Sequence, residues 1–233
     1  MEWEVLESEY LFKRPWLTAR REHVKLPTGA EIKDFYVLEY PEFCNVIAIT
    51  KEGKFLMERQ YRHAQHYTGY EIPAGCVEEG EDPMEAAKRE LYEETGFGGG
   101  EWSKLMTISP NAGACTNYSH TFLAVGVERQ SSQHLEESED IKIVLLDQDE
   151  VIRMLKNDEF HQAMMAAPLW KYFAMNFNCE EGYKWGLLFL PVVFLGILAF
   201  DKNYQYKNTQ ESVNYNRIIE QIRIIKENIL FMI

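Results

Sequence analysis

Gly75-Cys76-Val77-Glu78-Glu79-Gly80-Glu81-Asp82-Pro83-Met84-Glu85-Ala86-Ala87-Lys88-Arg89-Glu90-Leu91-Tyr92-Glu93-Glu94-Thr95-Gly96-Phe97 is the stretch on which the reading of this 233-residue chain turns. It has the punctuation of a helix between two loops. Asp82 is a good N-cap, Pro83 suits the first helical position, and Gly96 supplies a left-handed stop after Thr95. Met84, Ala87 and Leu91 share one face of that helix, and Glu90, Glu93 and Glu94 share another. Like charges at such spacing repel by about 0.2–0.5 kcal/mol per pair, so a cation between them is the natural remedy. Oxygen-only ligands suit Mg²⁺ or Mn²⁺, which keep several waters and bridge to substrate phosphates. An isolated acidic cluster would be a solvated helix face. The surroundings of this one point elsewhere.

Outward from the helix, the chain reads as β-structure on both sides. Leu17 to Leu26, Ile32 to Tyr40, Cys44 to Thr50 and Phe55 to Arg62 are rich in β-branched and aromatic residues, with Pro27-Thr28-Gly29 and Lys51-Glu52-Gly53 as turns. His120 to Val127 and Ile141 to Leu146 add later strands. Asp147 is placed to cap a short helix through Val151 to Lys156, and Gln162 to Met175 has the pattern of another. Strands before and after a helix, with helices closing the segment, predict an α+β fold with a mixed sheet between helical layers.

The whole-chain properties set limits. Thirty-seven acidic against 24 basic side chains give a net charge of −13, which repels nucleic acid and leaves an anionic substrate dependent on a recruited cation. Cys44, Cys76, Cys115 and Cys179 lie far apart without a CxxC pair, the pattern of reduced thiols in the cytoplasm and of neither a disulfide framework nor a zinc site. Met1 to Tyr10 carries four glutamates and no apolar run, so it is not a secretory signal.

The opening stretch resembles the Nudix box: Gly, five residues, Glu, seven residues, Arg-Glu, an apolar residue, any residue, Glu-Glu, any residue, Gly, an apolar residue. Gly75, Glu81, Arg89, Glu90, Leu91, Glu93, Glu94, Gly96 and Phe97 fill every fixed position. The resemblance implies an α/β/α sandwich in which the box forms loop, helix and loop. It implies that Glu90 and Glu94 are the principal metal ligands, that Glu93 supports them, and that the backbone carbonyl of Gly75 or Ala74 completes the shell. Arg89 would pair with the box glutamates and fix their rotamers. Glu81 would be structural, and Leu91 and Phe97 core.

Glu58-Arg59-Gln60-Tyr61-Arg62 followed by Glu71-Ile72-Pro73-Ala74-Gly75 resembles the segment before the box in ADP-ribose and nucleotide-sugar pyrophosphatases. On that likeness Arg62 would hold a substrate phosphate or ribose, a task suited to its planar fork, and Glu71 would support the metal site. Leu135 to Ile141 resembles the acidic loop that carries the catalytic glutamate. Aligning on Glu-Asp-Ile ranks Glu137 as general base ahead of Glu139. One departure bears on the choice of ADP-ribose, though not on diphosphate cleavage: where relatives have proline, glycine and an acid, this chain has Pro110 followed by Asn111-Ala112-Gly113-Ala114-Cys115-Thr116.

The expected activity is Mg²⁺-dependent hydrolysis of a nucleoside diphosphate derivative to a nucleoside monophosphate and a sugar phosphate, with Mn²⁺ as the other candidate ion. NAD(H) or dinucleotide pyrophosphatase activity, or a non-catalytic nucleotide sensor, are the alternatives. Relatives with this N-terminal strand segment pair through it, so a homodimer is expected. The likeness ends near Phe173, giving a catalytic domain over residues 1–178. From Trp185 to Phe200 no residue is charged, and Tyr183, Trp185, Tyr204 and Tyr206 flank the run. With Pro191 inside and a length near the short end of the roughly 17–25 residues that span a bilayer, residues 183–200 read either as a membrane anchor or as a buried apolar segment, a helix or a strand pair packed on the domain. Residues 201–233, with Ile218, Ile222, Ile225 and Ile229 at helical spacing, form an amphipathic tail.

Overall fold

The apolar run after Pro41 forms the middle of a sheet, and the rest of the domain is laid on its two faces. A computed structural model describes residues 1–14 and 17–176. In chain order the strands and helices are β1 (Glu4–Arg14), β2 (Leu17–Lys25), β3 (Glu31–Glu39), β4 (Phe43–Thr50), β5 (Phe55–Arg62), β6 (Tyr67–Glu71), β7 (Ala74–Cys76), α1 (Pro83–Thr95), β8 (Phe97–Gly98), β9 (Glu101–Ile108), β10 (Ser119–Arg129), β11 (Lys142–Leu146), α2 (Gln148–Lys156) and α3 (Ala163–Asn176). β1, β2 and β3 form an antiparallel sheet of their own. The larger sheet runs β11-β5-β4-β10-β8, with β6 on β5, β7 on β4 and β9 on β10. It is mixed because β4 and β10 are parallel while the other pairs are antiparallel.

Side chains alternate across this sheet and so divide the core in two. Ile47, Ile49, Phe55 and Met57 pack with Val151, Met154, Met165 and Leu169 of α2 and α3. Val46, Ala48 and Leu56 face the other way and pack with Leu91 of α1 and with Phe97. Cys44, Ala86, Ala87 and Phe122 extend that second layer. Helices on both faces of a mixed sheet make the α/β/α sandwich that the box implied.

The expected strands are all present. β1, β6, β7, β8 and β9 are additions: β1 is exposed along its whole length, which deprives it of the apolar alternation that marks a strand in sequence. Asp147 holds the N-cap position of α2 but makes no capping bond, because its carboxylate accepts from Lys54 Nζ at 2.6 Å. Among the described residues no helix is long and apolar enough to cross a membrane. Residues 183–200 and 201–233 lie outside the described residues.

α1 ends as the sequence predicts. Asp82 Oδ1 accepts from the backbone N–H groups of Met84 and Glu85, and Gly96 adopts φ 72° while its N–H donates to Tyr92 O. A Cβ at Gly96 would also collide with the backbone of Ser131. Gly96→Ala is therefore expected to destabilise the domain by more than the roughly 1–2 kcal/mol of a left-handed alanine alone, read from urea unfolding at fixed pH. A loss below about 0.5 kcal/mol would mean that the helix end does not depend on this glycine.

Candidate active site

α1 presents its carboxylates toward the end of β7, and Arg89 organises them. Its Nε and Nη2 donate to the two oxygens of Glu81, each at 3.0 Å. Nη1 donates to Glu90 Oε1 at 2.9 Å and to Glu93 Oε2 at 3.2 Å, and Nη2 also reaches Cys76 O at 3.1 Å. The bond from Arg89 holds the Glu81 carboxyl below its ordinary range and keeps it charged. Glu81 also accepts from Glu78 N–H, which pins the loop before the helix. Arg89 thus fixes three glutamates against one backbone carbonyl.

Gly75 explains how closely β7 and α1 approach. A Cβ there would overlap the Glu90 carboxylate, so only glycine admits that side chain. One residue earlier, Ala74 N–H donates to Glu94 Oε2 at 3.1 Å. Gly75 O is approached by the Cys44 thiol at 3.7 Å.

The carboxylates deeper in the site are short of solvent. Burial, then the charge of Glu90, push Glu94 up to about 8, opposed by the Ala74 N–H. Burial also raises Glu90, with Arg89 opposing. Glu58 of β5, to which the box resemblance gives no role, is only 3% exposed, and its carboxyl meets that of Glu94. Desolvation is the main reason that Glu58 lies far above the ordinary carboxylate range. The signal was present: a carboxylate directly after Phe55-Leu56-Met57, at a position where a strand in this core would carry an apolar side chain.

Arg62 and Glu71 form one unit. The Arg62 fork donates from Nε to Glu71 Oε1 at 2.8 Å and from Nη2 to Oε2, and Gln162 Nε2 adds a bond to Glu71 Oε1 at 2.6 Å. Glu71 is buried while the Arg62 side chain is 41% exposed, so the guanidinium is held from beneath by a partner that cannot move. Arg62, Gln162, Asn45, Ala74 and Gly75 contribute to the wall of a cavity of about 440 Å³.

The acidic loop is strapped to the end of α1. His134 N–H donates to Glu93 O at 2.7 Å, and Gln133 Nε2 donates to Glu94 O at 2.8 Å and to Ile141 O at 3.1 Å. The His134 ring stacks on Tyr92. These bonds satisfy carbonyls that a helix end leaves unpaired. Glu139 acts electrostatically on both Glu90 and Glu94. Glu137, ranked first from sequence, is exposed.

Among the described residues no three His, Cys, Asp or Glu side chains converge tightly enough to hold a cation unaided. Buried, mutually repelling carboxylates and an unpartnered Glu58 oxygen nevertheless fit a hard cation that takes the rest of its coordination from carbonyl, water and phosphate oxygens.

Comparison with known proteins agrees with this geometry. Residues 42–167 match the NUDIX domain, and residues 3–38 match the nucleoside diphosphate sugar hydrolase N-terminal domain. The chain is 31% identical over 161 residues to a methanol dehydrogenase activator of Bacillus methanolicus, covering 69% of this chain and 86% of that one. It is 29% identical over 167 residues to an ADP-ribose pyrophosphatase of Bacillus subtilis, covering 71% and 90%. A crystal structure of an ADP compounds hydrolase superposes with a TM-score of 0.67 at 19% identity, over 75% of this chain and 94% of that one, which bears on the fold.

In chelator-treated protein the folded state holds a proton on Glu94 that the unfolded chain releases near the ordinary value of 4.5, so this contribution to stability is present at low pH and is lost as pH rises toward about 8. One such proton sets a slope of up to about 1.4 kcal/mol per pH unit. Urea unfolding across that window should show a steeper decline for the wild type than for Glu94→Gln. Equal slopes would contradict the buried, proton-holding Glu94.

Proposed function

The chain belongs to the Nudix family, and on that premise we propose that this hydrolase cleaves the diphosphate of a nucleoside diphosphate sugar or of ADP-ribose, with Mg²⁺, to a nucleoside monophosphate and a sugar phosphate. The observation that carries the reading is the junction of two features at Ala74 and Gly75. These residues line the cavity that Arg62 also borders, and they touch Glu94 and Glu90 respectively. The match of residues 3–38 to an N-terminal domain of nucleoside diphosphate sugar hydrolases, and the ADP-ribose pyrophosphatase among the relatives, support the substrate class.

Glu90 and Glu94, helped by Glu93 and by a carbonyl of Ala74 or Gly75, would hold Mg²⁺ or, in its place, Mn²⁺. The bound ion supplies neutralising charge to the diphosphate and acidity to a water. Arg89 keeps the carboxylates in place through its bonds to Glu81, Glu90 and Glu93. Arg62 gives two of its five N–H groups to Glu71 and turns the remainder to a phosphate in the cavity. A glutamate of the acidic loop takes the proton of the attacking water. The reach of Glu139 to both Glu90 and Glu94 favours it over Glu137 for that role.

Two assignments concern the surroundings. β1 exposes Val5, Leu6, Leu11 and Phe12, apolar surface that supports a homodimer formed through the N-terminal sheet. Cys44, Cys76 and Cys115 are free thiols, in keeping with a cytoplasmic catalytic domain. Association with a membrane rests on the sequence of residues 183–200 alone.

Cleavage in Mg²⁺ of ADP-ribose, GDP-mannose, UDP-glucose, NADH and dinucleoside polyphosphates, followed by chromatography of the nucleotide product, should give the highest kcat/KM on ADP-ribose or one of the nucleotide sugars. A preference for NADH or a dinucleoside polyphosphate would overturn the substrate class, and no turnover on any would favour a sensor. Glu139→Gln should lower kcat by about 10²–10⁴ with metal affinity retained, and Glu137→Gln by less. The reverse ranking would move the base to Glu137. Light scattering of the full chain should give twice the monomer mass, and Leu11→Glu with Phe12→Glu should shift it to monomer. A monomeric wild type would count against the dimer.

A further inference from the structure

Resting on the metal site proposed above, we propose that Glu58 is a further ligand of that site, giving a carboxylate oxygen to the cation that Glu94 holds. Glu58 enters from β5, outside the box, whereas Ala74 and Gly75 belong to β7 and Glu94 to α1. It follows Phe55, Leu56 and Met57, all fully buried, and is itself 3% exposed. A charged side chain in such a position is retained against the preference of the core, and departures of that kind mark functional sites.

The partners of Glu58 leave its chemistry unfinished. Its Oε1 has no hydrogen-bond partner. Its carboxyl meets the carboxyl of Glu94, so two groups that accept when ionised face each other. Glu71, directly across the strand pair from Glu58, adds a third negative charge. Arg62, the guanidinium whose charge reaches Glu58, gives its fork to Glu71. A divalent cation between Glu58 and Glu94 supplies what both carboxylates lack. Two carboxylates with waters, a backbone carbonyl and substrate phosphates also suit an ion that demands oxygen ligands and resists full dehydration.

The alternative is that Glu58 acts as a neutral hydrogen-bond donor to Glu94, and Glu58→Gln separates the two. Glutamine has the same reach and can still donate to Glu94, but it carries no charge. Mn²⁺ is titrated into the full chain, with free ion followed by electron paramagnetic resonance and the metal-induced rise in Tm recorded alongside. Glu58→Gln is expected to bind Mn²⁺ roughly tenfold more weakly or worse, to lose most of that rise, and to melt no lower than wild type without metal. Glu58→Met, whose apolar side chain suits the buried strand, should lose affinity in the same way and guards against misfolding of the glutamine variant. Wild-type Mn²⁺ affinity in either variant, alongside its loss in Glu94→Gln, overturns the role of Glu58 and leaves the site standing. Wild-type affinity in Glu94→Gln overturns the site itself and the inference with it.

Discussion

Among the described residues, Arg89 is the one cation that meets Glu81, Glu90 and Glu93 together, and it also binds the backbone at Cys76. Without it α1 would carry repelling carboxylates beside a strand end with nothing to fix their direction. With it, Glu81 is tied off as structure and Glu90 is kept where burial makes its charge costly, while Ala74 N–H holds Glu94 in the same condition. The cost is part of the design. A carboxylate that solvent cannot reach has a strong reason to accept a cation, and its protons and the metal compete for the same oxygens.

The same division between holding and acting recurs around the cavity. Glu71 is buried beneath Arg62 and fastened by Gln162 from just before α3, so a side chain that reaches into open space is positioned from the core. Gln133 and His134 do for the acidic loop what Arg89 does for the helix. They join the carbonyls of Glu93 and Glu94 to the loop whose Glu139 acts electrostatically on Glu90 and Glu94. Loops that act chemically are useful when a rigid element sets their place.

The legibility of these features follows from how local their causes are. α1 could be read to the residue because Asp82, Pro83 and Gly96 act on their immediate neighbours. The box glutamates could be read because their spacing is that of one helix face. Glu58 stands out in sequence only as a carboxylate after an apolar run, since what it meets depends on which face of β5 meets α1, and register across strands is a property of the assembled sheet. The surroundings of Glu137 and Glu139 are set in a similar way, by a loop whose Gln133 and His134 bond to the end of α1, and no local pattern announces those bonds. β1 lacks the burial that gives a strand its alternation. Asp147 shows the limit of a sound local rule, because Lys54, distant in sequence, claims the side chain that would otherwise cap α2.

The parallel pairing of β4 with β10 governs the order in which the chain can fold. Cys44 lies against His120 and Ala48 against Ala124, so this pairing encloses everything from β5 to β9. Such a contact closes a long loop before it gains anything, and slows folding relative to the hairpins around it. During synthesis β1, β2 and β3 can zip together as they emerge, whereas Asn45-Val46-Ile47-Ala48-Ile49 must wait with one edge bare until β10 is made. The strand on which the sheet is centred is thus the segment most exposed to misassembly between chains.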